Sequence, residues 1–155
     1  MRKQSNVDAD RIYVYGGSYG GYLTAMALGR NSDIFAGGVD IHGVHDRTRY
    51  SYLNNHYYEK AADYDLGRRT AWKSSPVSNV NTWKSPVLII HADDDRNVDF
   101  RQSTDLVQRL RKKDVYMETI VIVDDTHHFM MFKNQMKVNK STADFLIRLS
   151  KGLIN

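Results

Sequence analysis

Apolar and polar positions follow two different periods along the chain. Short runs of β-branched and other apolar residues predict four strands, at residues 11–15, 37–41, 87–91 and 116–123. Apolar side chains at steps of three and four positions predict helices, at residues 19–30, 100–113 and 132–150. Strands that alternate with helices indicate parallel β-α-β units with right-handed crossovers. No internal repeat or low-complexity linker interrupts the pattern, so we expect one α/β domain over residues 1–155.

Residues 48–80 break this alternation. The segment is polar and carries a cluster of tyrosines, Tyr50, Tyr52, Tyr57, Tyr58 and Tyr64. A connection of this length inside an α/β pattern predicts an excursion with short helices. Excursions of this kind often shape substrate pockets.

Ser18 lies between the first predicted strand and the first predicted helix, in a G-x-S-x-G sequence. A nucleophile at the apex of a sharp strand-to-helix turn needs small neighbours two positions away on each side. Gly16 and Gly20 meet that demand. Serine-containing glycine turns also occur in phosphate-binding loops and in ordinary strand-helix connections, so the motif alone leaves these alternatives open.

Two candidate partners for Ser18 follow in the chain order acid, then histidine, that hydrolases with this turn use. The strand predicted at residues 87–91 runs into Asp93, Asp94 and Asp95, at the carboxyl end where open α/β sheets place their sites. The last predicted strand leads to His127. The three segments together predict a serine hydrolase.

A metal site is the main alternative for these acidic and histidine residues. Acidic and amide side chains alternate as in a calcium loop, at Asp93, Asp95, Asn97 and Asp99. Such a loop requires glycine where Val98 stands and glutamate where Thr104 stands, which argues against calcium. His127 and His128 are adjacent, so their side chains diverge, and no H-E-x-x-H helix is present. We expect no metal and no cofactor.

Several motifs, taken together, resemble the catalytic domain of the prolyl oligopeptidase family of serine peptidases. They are residues 7–12, 16–22, 39–46, 85–91, 95–98 and 124–127. The resemblance extends over almost the whole chain from Val7 onward. It implies a partial α/β-hydrolase fold, with a mostly parallel sheet flanked by helices. It also implies a serine peptidase that cleaves peptide or ester bonds through an acyl-enzyme.

The resemblance assigns a catalytic triad. Ser18 matches the family's nucleophile, and His127 matches the base that closes an Asp-x-x-His segment, which leaves His128 one position too late. Asp95 matches the acid that lies four residues after a strand-end histidine. A run of three carboxylates keeps Asp94 open as an alternative acid, although the spacing to residues 97–98 favours Asp95.

The resemblance also assigns one oxyanion donor, the backbone N–H of Tyr19 directly after the nucleophile. In the family a tyrosine hydroxyl from an upstream segment is the second donor, and a β-propeller and several strands precede the nucleophile strand. This chain begins a few residues before that strand, so we expect the opening strands to be missing. An uncovered strand edge favours pairing with another chain. We therefore expect a homo-oligomer or association with parent-peptidase segments, and a weak or inactive self-associating module remains the alternative function.

Three further histidines, His42, His45 and His91, lie near the predicted strand ends. We expect them to make structural hydrogen bonds around the site, with contact to substrate as the alternative.

The composition excludes several other functions. The net charge is +4, but 22 basic and 18 acidic residues are dispersed without a clustered basic stripe, so we expect no nucleic-acid partner. The chain has no cysteine, which rules out disulfides and thiolate metal sites. A hydrophobic content of 41% does not suggest a membrane span, and residues 1–6 lack the apolar core of a secretory signal.

Overall fold

The computed structural model describes residues 4–49 and 59–154, and it contains the predicted strands and helices. The strands are β1 (Tyr13–Gly17), β2 (Gly37–Ile41), β3 (Val87–Ala92) and β4 (Met117–Ile122). The α-helices are α1 (Tyr19–Arg30), α2 (Tyr64–Lys73), α3 (Arg101–Arg111) and α4 (Phe132–Ser150), and a 3-10 helix spans Pro76–Thr82. Over the described residues, no helix has both the length and the apolarity that crossing a membrane demands.

Within the predicted excursion, Tyr64 begins α2, and the short helices expected there are α2 and the 3-10 helix. The other four tyrosines of the cluster, Tyr50, Tyr52, Tyr57 and Tyr58, lie outside the described residues.

The four described strands form one sheet in the order β1-β2-β3-β4, and all neighbouring pairs are parallel. Each pair is joined by a crossover that contains a helix, as the alternating pattern predicts. The parallel sheet flanked by helices is therefore confirmed. Strand β1 ends two residues later than expected, because Gly16 and Gly17 continue the pairing with Asp40 and Ile41 of β2.

Strand β3 lies inside the sheet and is buried along its whole length. Its alternate side chains enter two different cores, since successive residues of a strand point to opposite faces. Val87 and Ile89 pack in one core with residues of α1, the 3-10 helix and α3. Leu88 and Ile90 pack in the other with α4. Because β3 is packed on both faces, the position of its carboxyl end, where the acidic loop begins, is fixed.

Strand β1 forms an edge of the sheet in the described part of the chain, because it pairs there with β2 alone. Tyr15 on this strand is 57% exposed, and Tyr19 and Leu23 at the start of α1 are 65% and 51% exposed. Large apolar side chains thus surround the edge strand that carries Ser18 at its end.

Candidate active site

Ser18 occupies a sharp turn between β1 and α1, and its backbone is in an unusual conformation with φ of 56° and ψ of −116°. Positive φ at a non-glycine residue costs roughly 1–3 kcal/mol and persists only where the surrounding structure enforces it. A Cβ atom at Gly16 would overlap the backbone of Gly20, whose Cα would be 2.8 Å away. The absence of a side chain at Gly16 therefore lets strand and helix approach as closely as the turn requires.

The second space-limited glycine of the turn is Gly21 and not Gly20, which corrects our expectation. A Cβ atom at Gly20 would meet nothing within 4 Å. At Gly21 it would lie 2.6 Å from Oδ1 of Asp40 and 2.8 Å from Cα of Gly43. The helix after Ser18 thus packs directly on the end of β2, and its second glycine serves that contact.

His127 lies in the loop between β4 and α4, and its Nδ1 is 2.7 Å from Oδ2 of Asp95. Since a carboxylate only accepts, Nδ1–H donates and Nε2 keeps its lone pair free to accept a proton. The side chain of Asp95 is fully buried. His127 and Ser18 line the same pocket, which has a volume of about 530 Å³. The structure thus brings the predicted nucleophile and base to one cavity, with the acid behind the base.

The loop around Asp95 holds the carboxyl group as an anion. Burial by itself raises the pKa of Asp95, but hydrogen bonds from the Val98 N–H, the His127 ring and the Asn97 N–H hold that pKa below its ordinary value. The two backbone N–H groups donate to Oδ1 at 2.9 Å and 2.8 Å. An ionised Asp95 fixes the tautomer of His127.

His91 supports the same carboxylate from the end of β3. Its Nδ1 accepts the hydroxyl of Ser103 at 2.7 Å, and its Nε2–H points between Oδ2 of Asp95 at 3.1 Å and the Val98 carbonyl at 3.0 Å. Burial lowers the pKa of His91, so its ring is neutral. These contacts are the structural hydrogen bonds expected of a strand-end histidine.

The alternative residues do not make the contact that joins Asp95 to His127. Asp94 is exposed and its nearest cationic partner is Arg96, at 3.5 Å. Asp93 accepts the backbone N–H of Asp124 at 2.9 Å. His128 is exposed to solvent and lines the same pocket as Ser18, but the imidazole bonded to Asp95 is that of His127. The geometry therefore places Asp95 against His127, and neither neighbouring aspartate takes that position.

Tyr19 is the first residue of α1, directly after Ser18. Its backbone N–H is one of the first four amides of the helix, which have no intrahelical acceptor and lie at the positive end of the helix dipole. That placement suits an oxyanion donor, and the role of Tyr19 stays a prediction.

One group of three potential metal ligands occurs among the described residues, formed by His42, Asp95 and His127. Their donor atoms lie within 4.8 Å of one another. Nδ1 of His42 accepts the backbone N–H of Ser18 at 3.0 Å, and Nδ1 of His127 is bonded to Asp95. Because Nδ1 of each histidine is already engaged by the protein, these contacts favour a catalytic arrangement over a metal centre, and the expectation of no metal stays a prediction.

A buried polar network lies under the Ser18 turn. The sequence analysis expected structural hydrogen bonds from His45, but it assigned no role to Asp40 or Gln102. The side chains of Asp40 and His45 are fully buried, with Nε2 of His45 2.6 Å from Oδ2 of Asp40. Nδ1 of His45 faces the backbone carbonyl of Gln102 at 2.9 Å. Both ring nitrogens therefore face acceptors, which requires the doubly protonated imidazolium. The signal that could have found Asp40 was an aspartate inside a buried strand.

Gln102 extends this network from α3. Its side-chain oxygen accepts the N–H of His45 at 2.8 Å and that of Asp46 at 2.7 Å. Its side-chain nitrogen donates to the carbonyl of Asp46 at 3.1 Å. The loop after β2, which borders both Ser18 and Gly21, is thus fastened to α3.

We expect the stability of the fold to depend on pH through His45. Burial lowers the pKa of His45, but Asp40 and the bonded acceptors outweigh it, so the pKa lies above its ordinary value. A raised pKa gives stability that is complete below the unfolded value of about 6.5 and is lost as pH rises through the folded value. Urea unfolding should show this decline above neutral pH.

The His45→Ala variant tests whether the ion pair with Asp40 stabilises the fold, because it leaves the Asp40 carboxylate buried without its cation. We expect a loss of roughly 3–5 kcal/mol in the free energy of unfolding at pH 6. The pH-dependent decline should also disappear. The control His128→Ala, at an exposed site, should keep the wild-type free energy of unfolding and its decline with rising pH. A His45→Ala chain with wild-type stability and pH dependence contradicts the ion pair.

The comparison with known proteins identifies the family. The sequence profile described as "Prolyl oligopeptidase family" matches residues 1–152. The chain belongs to the prolyl oligopeptidase family. This family of serine peptidases is the one that the motifs around Ser18, Asp95 and His127 indicate.

Individual family members cover nearly all of the chain. Dipeptidyl aminopeptidase BIII of Pseudoxanthomonas mexicana is 29% identical in an alignment of 160 positions that covers 97% of this chain. Dipeptidyl peptidase 4 of Porphyromonas gingivalis superposes on 94% of it with a TM-score of 0.82 and 24% identity. Acylaminoacyl peptidase of Pyrococcus horikoshii superposes on 95% with a TM-score of 0.80 and 26% identity.

The chain spans 23%, 20% and 25%, respectively, of the lengths of these three proteins. Its parallel sheet and flanking helices are therefore part of the α/β-hydrolase fold of the prolyl oligopeptidase family.

Proposed function

We propose that the chain is a serine hydrolase of the prolyl oligopeptidase type that cleaves peptide or ester bonds through an acyl-enzyme on Ser18. The observation that carries the proposal is the buried hydrogen bond of 2.7 Å between Asp95 and His127, in a loop whose histidine shares a pocket with Ser18. A serine on a strained turn, an imidazole with a free Nε2 and an ionised acid are the parts that acyl transfer needs.

In the proposed reaction, Oγ of Ser18 attacks the scissile carbonyl carbon while Nε2 of His127 accepts the hydroxyl proton. The resulting imidazolium donates through Nδ1 to the Asp95 carboxylate, which stabilises it. The N–H of Tyr19 donates to the oxyanion. His127 then passes the proton to the leaving amine or alcohol, and a water molecule releases the acyl group from Ser18 by the same steps in reverse.

The substrate class follows from the relatives. Those described above are named as dipeptidyl and acylaminoacyl peptidases, which favours a peptide substrate for this chain. Peptide cleavage demands exact placement of the substrate, and the binding energy for that placement can come from parts distant from the scissile bond. Activated esters depend less on such contacts, so an ester is the better probe of the isolated chain.

A second candidate function is a weakly active or inactive module that associates with itself or with other segments of a parent peptidase. The observation that favours it is the edge strand β1 with the exposed side chains of Tyr15, Tyr19 and Leu23 around it. An unpaired strand edge is a template for another chain.

We expect the isolated chain to form a dimer or a larger assembly, and to hydrolyse a nitrophenyl ester weakly and a dipeptide amide poorly. The assembly would cover the β1 edge. The dipeptide amide should lose more activity than the ester, because peptide cleavage depends more on exact placement of the substrate. Light scattering over a concentration series measures the assembly state. Assays with the ester and the amide, with Ser18→Ala as the baseline, measure the two hydrolysis rates. A stable monomer that cleaves the dipeptide amide efficiently contradicts both expectations.

A further inference from the structure

His42 lies directly after β2, beside the turn that carries Ser18. Its side chain is buried, and its backbone has a φ of 42°, in the left-handed region that a bulky residue rarely adopts. The backbone N–H of Ser18 donates to Nδ1 of His42 at 3.0 Å, as well as to the carbonyl of Ile41 at 2.9 Å. Two residues with positive φ are thus joined by a hydrogen bond from one backbone to the other side chain.

The ring of His42 also packs against the ring of His127. The two ring centroids are 4.1 Å apart and the planes are tilted by 47°. Phe129 contacts the His42 ring at 5.4 Å, so His42 lies between aromatic neighbours. One side chain therefore contacts the backbone of the proposed nucleophile and the ring of the proposed base.

His42 is neutral in this position. Burial first, and then the nearby His127 and His91, lower its pKa to about 4. Because Nδ1 accepts the N–H of Ser18, the single ring proton of the neutral form is on Nε2. A neutral ring does not repel the imidazolium that His127 becomes during acyl transfer.

We propose that His42 is a positioning residue, which holds the Ser18 turn through Nδ1 and supports the ring of His127 with its own. The inference rests on the proposed function of Ser18 and His127. His42 lines the same pocket as Ser18, but its acceptor nitrogen is engaged by the Ser18 N–H, so we assign it no proton transfer. It acts on the rate by fixing the distance and angle between the nucleophile and the base.

Three variants separate the two contacts. His42→Asn keeps an acceptor near the position of Nδ1 and tolerates positive φ, but it lacks the ring. His42→Phe keeps a ring and lacks the acceptor. His42→Ala lacks both. The measurement is the rate of modification of Ser18 by a fluorophosphonate, resolved into the maximal rate and the half-saturating probe concentration.

We expect His42→Ala to lower the maximal rate by roughly 100-fold, the loss that a misplacement of about 1 Å causes. His42→Asn and His42→Phe should each lose roughly tenfold, since each keeps one contact. The half-saturating concentration should change far less than the maximal rate, because the two contacts that the variants remove are made to Ser18 and His127. A role in stability alone would not give this separation of rate from affinity.

A spectroscopic measurement tests the ring contact independently of turnover. The proton shared by His127 Nδ1 and Asp95 should give a far-downfield proton NMR resonance. We expect that resonance to persist in His42→Phe and to broaden in His42→Ala, where the His127 ring has lost its support. The folded state of each variant is checked by circular dichroism.

A wild-type chain that is folded and unlabelled contradicts the proposed function itself. A labelled wild type with an equally fast His42→Ala variant and an unchanged resonance overturns the role of His42 alone. Should His42→Ala fail to fold, the other two variants decide, and wild-type maximal rates in both of them overturn the inference.

Discussion

His127→Ala is expected to abolish ester turnover, a loss that reaches roughly a millionfold when the base of such a triad is removed. In the structure, His127 is the imidazole that lines the pocket with Ser18 and is bonded to Asp95. The substitution removes the imidazole that takes the hydroxyl proton from Ser18 in the proposed reaction. The measurement is steady-state hydrolysis of a nitrophenyl ester, corrected with Ser18→Ala.

The matched control is His128→Ala, which removes the neighbouring imidazole from an exposed position. We expect this variant to keep most of the turnover. The reverse result, with His128→Ala inactive and His127→Ala active, would move the base one residue along the chain and contradict the hydrogen bond to Asp95 as the catalytic one.

Asp95→Asn is expected to lower ester turnover by roughly ten-thousandfold, the loss known for the same change in a serine-protease triad. Oδ1 of Asp95 accepts two backbone N–H groups, so an amide would keep its oxygen there and turn its NH₂ group toward His127. His127 would then have to accept at Nδ1 and carry its proton on Nε2. That tautomer cannot take the proton of Ser18.

Asp94→Asn tests the register of the acid under the same conditions. Asp94 is exposed and pairs with Arg96 at 3.5 Å, so we expect turnover close to that of the wild type. Greater damage from Asp94→Asn than from Asp95→Asn would show that the acid is one residue earlier. Circular dichroism of both variants separates a change in fold from a change in chemistry.

The sheet and the helices were predictable because each depends on a local period. The buried run that forms β3 and the three- and four-residue steps in α4 are visible in the sequence without any knowledge of their partners. The bounds were less certain, since β1 continues to Gly17 only because β2 is there to pair with it.

The residues of the candidate site that belong to motifs with fixed spacing were predictable from the sequence. Ser18 and His127 follow from their motifs, and the spacing to residues 97–98 favoured Asp95 as the acid, with Asp94 left as an alternative among three successive carboxylates. The fold of the loop places Asp95 and not Asp94 against His127, because two backbone N–H groups and the His127 ring all bond to Asp95.

The remaining parts of the site depend on residues far apart in the sequence. His45 meets the carbonyl of Gln102 across 57 positions, and Ser18 meets His42 across 24. No local period or short motif encodes such contacts. Gly21 was missed for the same reason, because the atoms that exclude a side chain there belong to β2 and the loop after it.

The most direct test of the central claim is mass spectrometry of the intact chain after treatment with a fluorophosphonate, which requires an activated nucleophile and assumes no particular substrate. The account predicts a single adduct, on Ser18, that is lost in His127→Ala. A folded sample that stays unlabelled, or an adduct on another residue, would contradict it.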